Sequence, residues 1–182
     1  VNKDGKLYGD VTDGAGFIKN LSVNGVEVKG KKMVVLGAGG AATAIQVQAA
    51  LDGAAEVAIF NRDDEFFERA EGTKAKLEKE CPDVKVTVTK LEEADKLAEA
   101  VKACDILVNA TSVGMKPQDG ISLIDTALLR EDLVVADTVY NPEKTQLILD
   151  AEAAGCAKAI GGKGMLLWQG AAAYKLYTGL EM

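Results

Sequence analysis

Residues 33–42, Met33-Val34-Val35-Leu36-Gly37-Ala38-Gly39-Gly40-Ala41-Ala42, carry the sharpest change of character in this 182-residue sequence. Met33 to Leu36 is a continuous apolar run that ends in glycine, the pattern of a strand buried on both faces. Ala41 to Leu51, rich in Ala and Gln, suits a helix. Gly37 permits a tight turn between the two, Gly39 lets the backbone approach a pyrophosphate, and Ala42 is small enough for close helix–strand packing. The helix start then offers unpaired N–H groups and a partial positive charge. Strand, glycine turn and helix in this order imply a dinucleotide site; the glycines without that context would equally suit a structural turn.

Outward from this unit the alternation repeats. Glu56 to Phe60, Ile106 to Val108 and Leu133 to Ala136 are runs of buried-strand type, and Val84 to Thr89 alternates apolar with polar residues. Asp64 to Lys79 is helical in composition, and Pro82 stops it. Leu91, Ala94, Leu97, Ala98 and Val101 mark one face of a helix over Leu91 to Lys102. Lys144 to Ala154 reads as a helix and Ala157 to Ile160 as a short strand. Met165 to Tyr177 reads as an apolar helix whose Trp168, Leu166 and Leu167 belong in a core. Strands alternating with helices predict an α/β fold, a doubly wound parallel sheet. The stretch before Gly30 stands outside this pattern, and Gly16 to Leu21 reads as a helix joining the domain to whatever precedes it.

About 20 residues after the glycines, a dinucleotide site needs a side chain that reads the adenosine ribose. Asn61-Arg62-Asp63-Asp64 stands there. Arg62 could clamp a 2′-phosphate, whereas Asp63 and Asp64 would repel it and accept bonds from a free 2′-hydroxyl. Two carboxylates beside one guanidinium favour NAD, with NADP tolerated. One aspartate also suits the cap of the following helix, and the two roles coexist if they fall on different aspartates.

Composition narrows the function classes. At 182 residues, 48% of them hydrophobic, the chain can bury the core of one domain. Twenty-one basic against 28 acidic residues leave a net charge of −7, which repels phosphate backbones and anionic lipids and argues against nucleic-acid and membrane roles. The absence of histidine removes Ser-His-Asp and Cys-His nucleophiles, His-ligated zinc and a His general base from this chain. Cys81, Cys104 and Cys156 are far apart without metal spacing; they read as reduced packing thiols of a cytoplasmic protein, and no metal site is expected. The start, Val1-Asn2-Lys3-Asp4-Gly5-Lys6, has neither initiator Met nor signal-peptide character and reads as a cut inside a longer protein.

Several motifs together resemble one family. Thr12-Asp13-Gly14-Ala15-Gly16-Phe17, the turn Gly37 to Ala42, Asn61-Arg62, Asn109-Ala110-Thr111-Ser112-Val113-Gly114-Met115, Tyr140-Asn141-Pro142 and Gly164-Met165-Leu166-Leu167-Trp168-Gln169-Gly170 follow one another as in shikimate dehydrogenases. Asn61 to Phe67 and Met165 to Gly170 resemble the quinate/shikimate dehydrogenase branch, which accepts NAD as well as NADP. The resemblance covers nearly the whole chain. It implies a Rossmann-like NAD(P)-binding domain over residues 30–182, and residues 1–29 as a linker and helix that carry Asp13 and join a missing N-terminal substrate domain. The implied reaction interconverts shikimate and 3-dehydroshikimate, with quinate and 3-dehydroquinate as a further pair, on the route to chorismate and aromatic amino acids.

The resemblance also implies roles by position. Asp13 is the catalytic aspartate and touches the substrate hydroxyls, its lysine partner lying in the missing domain; Gln169 and Tyr140 reach the substrate. Gly37, Ala38, Gly39, Gly40 and Ala41 take the pyrophosphate, Asn61, Arg62, Asp63 and Asp64 the adenosine ribose, and Phe66 the adenine. Thr111 and Lys116 lie near the cofactor, and Thr138, Val139, Tyr140, Asn141, Gly162 and Met165 line its nicotinamide end. Read from the residues alone, Asp13-Gly14 is a turn, Lys116 a solvated lysine, and Tyr140 and Gln169 packing or capping residues. The sequence departs from the family pattern at Val11, in place of Asn, at Asp63, in place of a basic or small polar residue, and at Gly161, in place of Asp. The small-molecule substrate would be shared with the missing domain, and a homodimer is left open. The alternative is a dinucleotide-binding module that catalyses nothing by itself.

Overall fold

The computed structural model describes residues 1–182, the side chain of Lys3 excepted. Two short strands, β1 (Asn2–Lys3) and β2 (Lys6–Leu7), pair as an antiparallel hairpin that no apolar run announces. Its turn, Asp4-Gly5, has positive φ at both positions, 51° and 81°, as the tightest hairpin turns require. There follow α1 (Asp13–Val23), β3 (Lys32–Leu36), α2 (Gly40–Leu51), β4 (Glu56–Asn61), α3 (Glu65–Glu80), β5 (Lys85–Lys90), α4 (Ala94–Ala103) and β6 (Ile106–Asn109). After a 3₁₀ turn at Thr126–Leu128 come β7 (Val134–Asp137), α5 (Gln146–Ala153), β8 (Lys158–Ile160) and α6 (Lys163–Thr178). Each predicted strand and helix is present with small shifts at its ends. Leu91 marks one such shift: it lies in the turn before α4 and packs against the core from there.

Strands β3 to β8 form one parallel six-stranded sheet in the order β5-β4-β3-β6-β7-β8. β3 pairs with β4 on one side and with β6 on the other. The chain therefore builds outward from the middle to β5, then crosses back and builds the other half. The loops that leave β3 and β6 diverge at their carboxyl ends, and that reversal opens a crevice there. Alternate residues of β3 serve the two faces: Met33 and Val35 join one core, with Ile45, Val57 and Ile59, whereas Val34 and Leu36 join the other, with Phe60, Leu107 and Val135. A strand used on both faces has no polar positions to spare, so it reads as an unbroken apolar run.

Helix α1, expected as a joining helix, is built into the first of these cores: Phe17 is 1% exposed and Leu21 0%. Its glycines allow the backbones to approach. A Cβ at Gly14 would lie 2.3 Å from the Ala44 carbonyl oxygen on α2, and one at Gly16 would lie 2.5 Å from the Gln169 nitrogen on α6. On α6, Gly164 faces the Asn20 side chain of α1, whose Oδ1 sits 1.9 Å from where a Cβ would stand. So α1 is wedged between α2 and α6. The expectation for α6 needs correction: Leu166 and Leu167 are 47% and 53% exposed, and Trp168 is half-buried beneath the Lys19 ammonium, 5.5 Å from its ring centroid. Only Met165 of this helix is fully buried, because its packing is against α1 along one side.

The close contact at Gly16 is measurable. Gly16→Ala should lower stability to urea by about 2 kcal/mol, the overpacking cost exceeding the gain in helix propensity. Gly72, exposed on α3 with nothing within 4 Å of a Cβ, is the control. Gly72→Ala should raise stability by about 1 kcal/mol, and equal shifts at the two sites would contradict the steric assignment.

Candidate functional site

The turn after β3 begins at Gly37, held at φ 106° with its would-be Cβ 2.8 Å from the Ala110 carbonyl oxygen. The Gly37 N–H donates to the Phe60 carbonyl at 2.7 Å, and Gln46, fully buried on α2, donates from Nε2 to the Gly37 carbonyl at 2.9 Å. The turn is thus held from both sides. Gly39 then caps α2 with extended backbone, and no side chain caps this helix. A Cβ at Gly39 or Gly40 would meet nothing within 4 Å. Open space therefore lies before the first N–H groups of α2, the arrangement that receives a phosphate. By this measure the residues present fit a dinucleotide.

Two clefts open at the carboxyl edge of the sheet. The first, about 230 Å³, is lined by Gly37, Ala38, Gly39, Asn61, Arg62, Asp64, Phe66 and Thr111, together with Leu91, Ser112, Val113, Gln118 and Leu123, which the sequence did not single out for it. Asp64 caps α3: its Oδ1 accepts from the Phe66 N–H at 3.0 Å and from Asn61 Nδ2 at 2.8 Å, and its Oδ2 faces the Arg62 guanidinium at 3.2 Å. Asp63 lies outside this lining and pairs with Lys90 at 2.6 Å. The aspartate that caps is therefore the one that lines the cleft. Arg69 stacks its guanidinium carbon 5.0 Å from the Phe66 ring centroid, which holds the ring on the cleft wall.

The second cleft, about 260 Å³, is lined by Asp13, Ala41, Thr138, Tyr140, Gly162, Met165, Leu166 and Gln169. Asp13 is the half-buried first residue of α1, so Asp13-Gly14 opens a helix instead of forming the turn that the dipeptide suggests. The Thr12 hydroxyl donates to Gln169 Oε1 at 3.3 Å, and Gln169 Nε2 donates to the Leu166 carbonyl at 3.1 Å. Gly162 has no room for a side chain, since a Cβ would lie 2.3 Å from the Thr138 carbonyl oxygen. Gly40, Val139, Asn141 and Lys116 line neither cleft. Asn141 and Lys116 are exposed on loops, and Val139 buries its side chain while its carbonyl accepts from the Gly162 N–H at 3.2 Å.

A buried polar network joins the two clefts. Asp137, 1% exposed at the end of β7, accepts through Oδ1 from Asn109 Nδ2 at 3.0 Å and from the Val139 N–H at 2.9 Å, and through Oδ2 from the Thr145 hydroxyl at 2.6 Å. Asn109 Oδ1 accepts in turn from the Thr111 N–H at 3.1 Å and the Thr111 hydroxyl at 2.7 Å. Burial pushes the Asp137 carboxyl above the ordinary carboxylate value, and the hydrogen bonds from Thr145, Val139 and Asn109 oppose that. Thr111 of the first cleft and Val139, between Thr138 and Tyr140 of the second, thus hang on one carboxylate. The sequence reading passed over Asp137, although a charged residue directly after an apolar run was the available signal. The three cysteines are free thiols; burial pushes that of Cys104 up to about 12, so it stays protonated.

A family model described as Shikimate / quinate 5-dehydrogenase matches residues 20–117, more than half of the chain. The chain belongs to that family. It is 49% identical over all 182 residues to a quinate/shikimate dehydrogenase of Escherichia coli O139:H28 (strain E24377A / ETEC), and it spans 62% of that relative's length. Among solved structures it is similar to shikimate 5-dehydrogenase from Listeria monocytogenes in complex with shikimate and NAD. The TM-score is 0.96 with 46% identity, over all of this chain and 63% of that one. It also resembles shikimate 5-dehydrogenase from Thermus thermophilus in complex with NADP(H) and shikimate, with TM-score 0.77 and 31% identity over 100% of this chain and 61% of that one. Relatives within the family therefore bind either dinucleotide. Among the described residues, no helix of this family member is long and apolar enough to cross a membrane.

Removing the hub of the network gives a direct test of its weight. Asp137→Ala leaves three buried donors without an acceptor and should cost on the order of 3 kcal/mol in chemical unfolding. A loss below about 1 kcal/mol would mean that the network contributes little to holding the loops.

Proposed function

We propose that this chain is the dinucleotide-binding part of a cytoplasmic shikimate or quinate/shikimate dehydrogenase, that it prefers NAD and accepts NADP, and that its second cleft completes a substrate site. The observation that carries the reading is the meeting of Asp13, Tyr140 and Gln169 with Thr138, Gly162 and Met165 in one cleft that also touches Ala41, in the first turn of α2. Those residues come from four separate stretches of the sequence, and all but Ala41, given to the pyrophosphate, were assigned to the substrate or the nicotinamide end by resemblance alone. The complexes of the Listeria and Thermus relatives, each containing shikimate and a dinucleotide, support the same pairing of ligands.

When bound, the dinucleotide supplies the nicotinamide ring that takes or returns a hydride. The chain's own residues do the positioning. Gly39, Gly40 and Ala41 present backbone N–H groups to the pyrophosphate, Asn61 and Asp64 face the adenosine ribose, and Phe66 gives the adenine an apolar wall. Asp13 accepts from a substrate hydroxyl, and Gln169, steadied by Thr12, fixes the ring beside it. Forming the ketone requires that the carbinol carbon lose a hydride and its hydroxyl lose a proton, the proton passing to a base of the complete site. Among the described residues no lysine or arginine lines the second cleft, and by resemblance the lysine that pairs with Asp13 belongs to the N-terminal substrate domain. By itself the chain should bind without turning over.

Two measurements test this. Calorimetric titration of the chain with NAD and NADP should show binding of both with NAD the tighter; heat from neither would contradict the dinucleotide reading. In the full-length protein, Asp13→Ala should lower kcat roughly 10²- to 10⁴-fold while NAD affinity stays within about twofold. Undiminished turnover would remove Asp13 from the reaction.

A further inference from the structure

A count of charges along Asn61-Arg62-Asp63-Asp64 leaves out a cation that stands beside that stretch, Lys90. The strand register pairs Asn61 with Lys90, so Lys90 stands at the carboxyl end of β5 beside the last residue of β4. Leu91, next in sequence, donates its N–H to the Asn61 carbonyl at 2.9 Å and lines the first cleft. From this position the Lys90 ammonium reaches Asp63 Oδ2 at 2.6 Å and lies 5.9 Å from the Phe67 ring centroid. Glu92 and Glu93 also face it. Arg62 is meanwhile paired with Asp64 at 3.2 Å. The end of the cleft where a ribose 2′ substituent would lie is therefore bordered by two ion pairs, Arg62–Asp64 and Lys90–Asp63, with Glu92 as a further carboxylate whose Oε1 accepts from the Asp63 N–H at 3.5 Å.

We propose that Lys90 is a specificity-determining residue, which sets how far the site tolerates a 2′-phosphate by neutralising Asp63. The proposal rests on the dinucleotide reading above. An unpaired carboxylate one residue from the ribose-facing Asp64 repels a phosphate dianion; the same carboxylate carrying an ammonium presents little net field to it. Lys90 touches neither the ribose nor the phosphate in this scheme. It acts through Asp63, and its effect belongs in the ratio of the two affinities, which a loss of folded protein would leave unchanged.

Titration of the chain with NADP and NAD separates the possibilities. Lys90→Met keeps the apolar stem and removes the charge; the ratio Kd(NADP)/Kd(NAD) should rise about fivefold, the scale of one exposed ion pair. Asp63→Asn releases Lys90 and should lower that ratio about fivefold, and the double variant should return close to the wild-type ratio because the pair is removed whole. Both shifts should shrink in high salt. If the wild-type chain binds both cofactors and the ratio is the same in every variant, Lys90 has no role in selection. If the wild-type chain binds neither, the dinucleotide reading falls and this proposal with it.

Discussion

The backbone of Gly37 lies against the Ala110 carbonyl because β3 is hydrogen-bonded to β4 on one side and to β6 on the other. Parallel strands hold their register over their whole length, so the loops that leave β3 and β6 must start side by side and then part. The first loop becomes the glycine turn and α2; the second becomes the segment that carries Thr111 and Ser112. Their divergence makes the first cleft, and the width of that cleft is set by how closely the two backbones can meet. With no side chain at Gly37 they meet at van der Waals contact, and the Gln46 amide then fixes the turn in that place.

The second cleft depends on a different contact of the same kind. Asp13 lies on a helix outside the sheet, and it reaches the carboxyl edge only because Gly14 and Gly16 let α1 sit at backbone distance from α2 and α6. Displacing α1 by the width of a methyl group would carry Asp13 away from Gln169 and Tyr140. Burial of Phe17 and Leu21 supplies the driving force for this docking, at roughly 2 kcal/mol for each side chain. Directional bonds from Thr12 to Gln169 and from Asn20 to the Gly161 carbonyl choose its register. The network around Asp137 then ties the loop of Thr111 and the loop of Val139 to one buried carboxylate. Apolar contacts bring the elements together, and the buried polar groups decide where the loops stand.

Much of this was legible in the chain because the physics behind it is local. Strands buried on both faces appear as unbroken apolar runs, and the spacing of glycines between Leu36 and Ala42 has few structural meanings. Asp13, Tyr140 and Gln169 were found only through resemblance, since a lone Asp-Gly or Gln carries no local signal of a cleft. What stayed hidden depends on partners distant in sequence. Lys90 meets Asp63 across 27 positions, and only the β4–β5 register brings them together. Asp137 looks like any strand-end carboxylate until the burial that surrounds it is known. Leu166 and Leu167 looked like core because a helix that is apolar all round normally is; here one side of α6 is used against α1 and these two leucines are left exposed.

Charge and space are the two quantities on which the functional reading turns, and space can be tested without altering charge. Gly39 has an ordinary negative φ, and a side chain there meets no protein atom; it would fill only the volume in front of α2. The most direct measurement is the NAD affinity of Gly39→Val, with its unfolding midpoint read in the same buffer. The expected result is a midpoint close to wild type and an affinity reduced by about tenfold or more, equivalent to about 1.4 kcal/mol lost at the pyrophosphate. An unchanged affinity with an unchanged midpoint would show that no phosphate rests on that helix, and the reading of the chain as a dinucleotide-binding domain would be wrong.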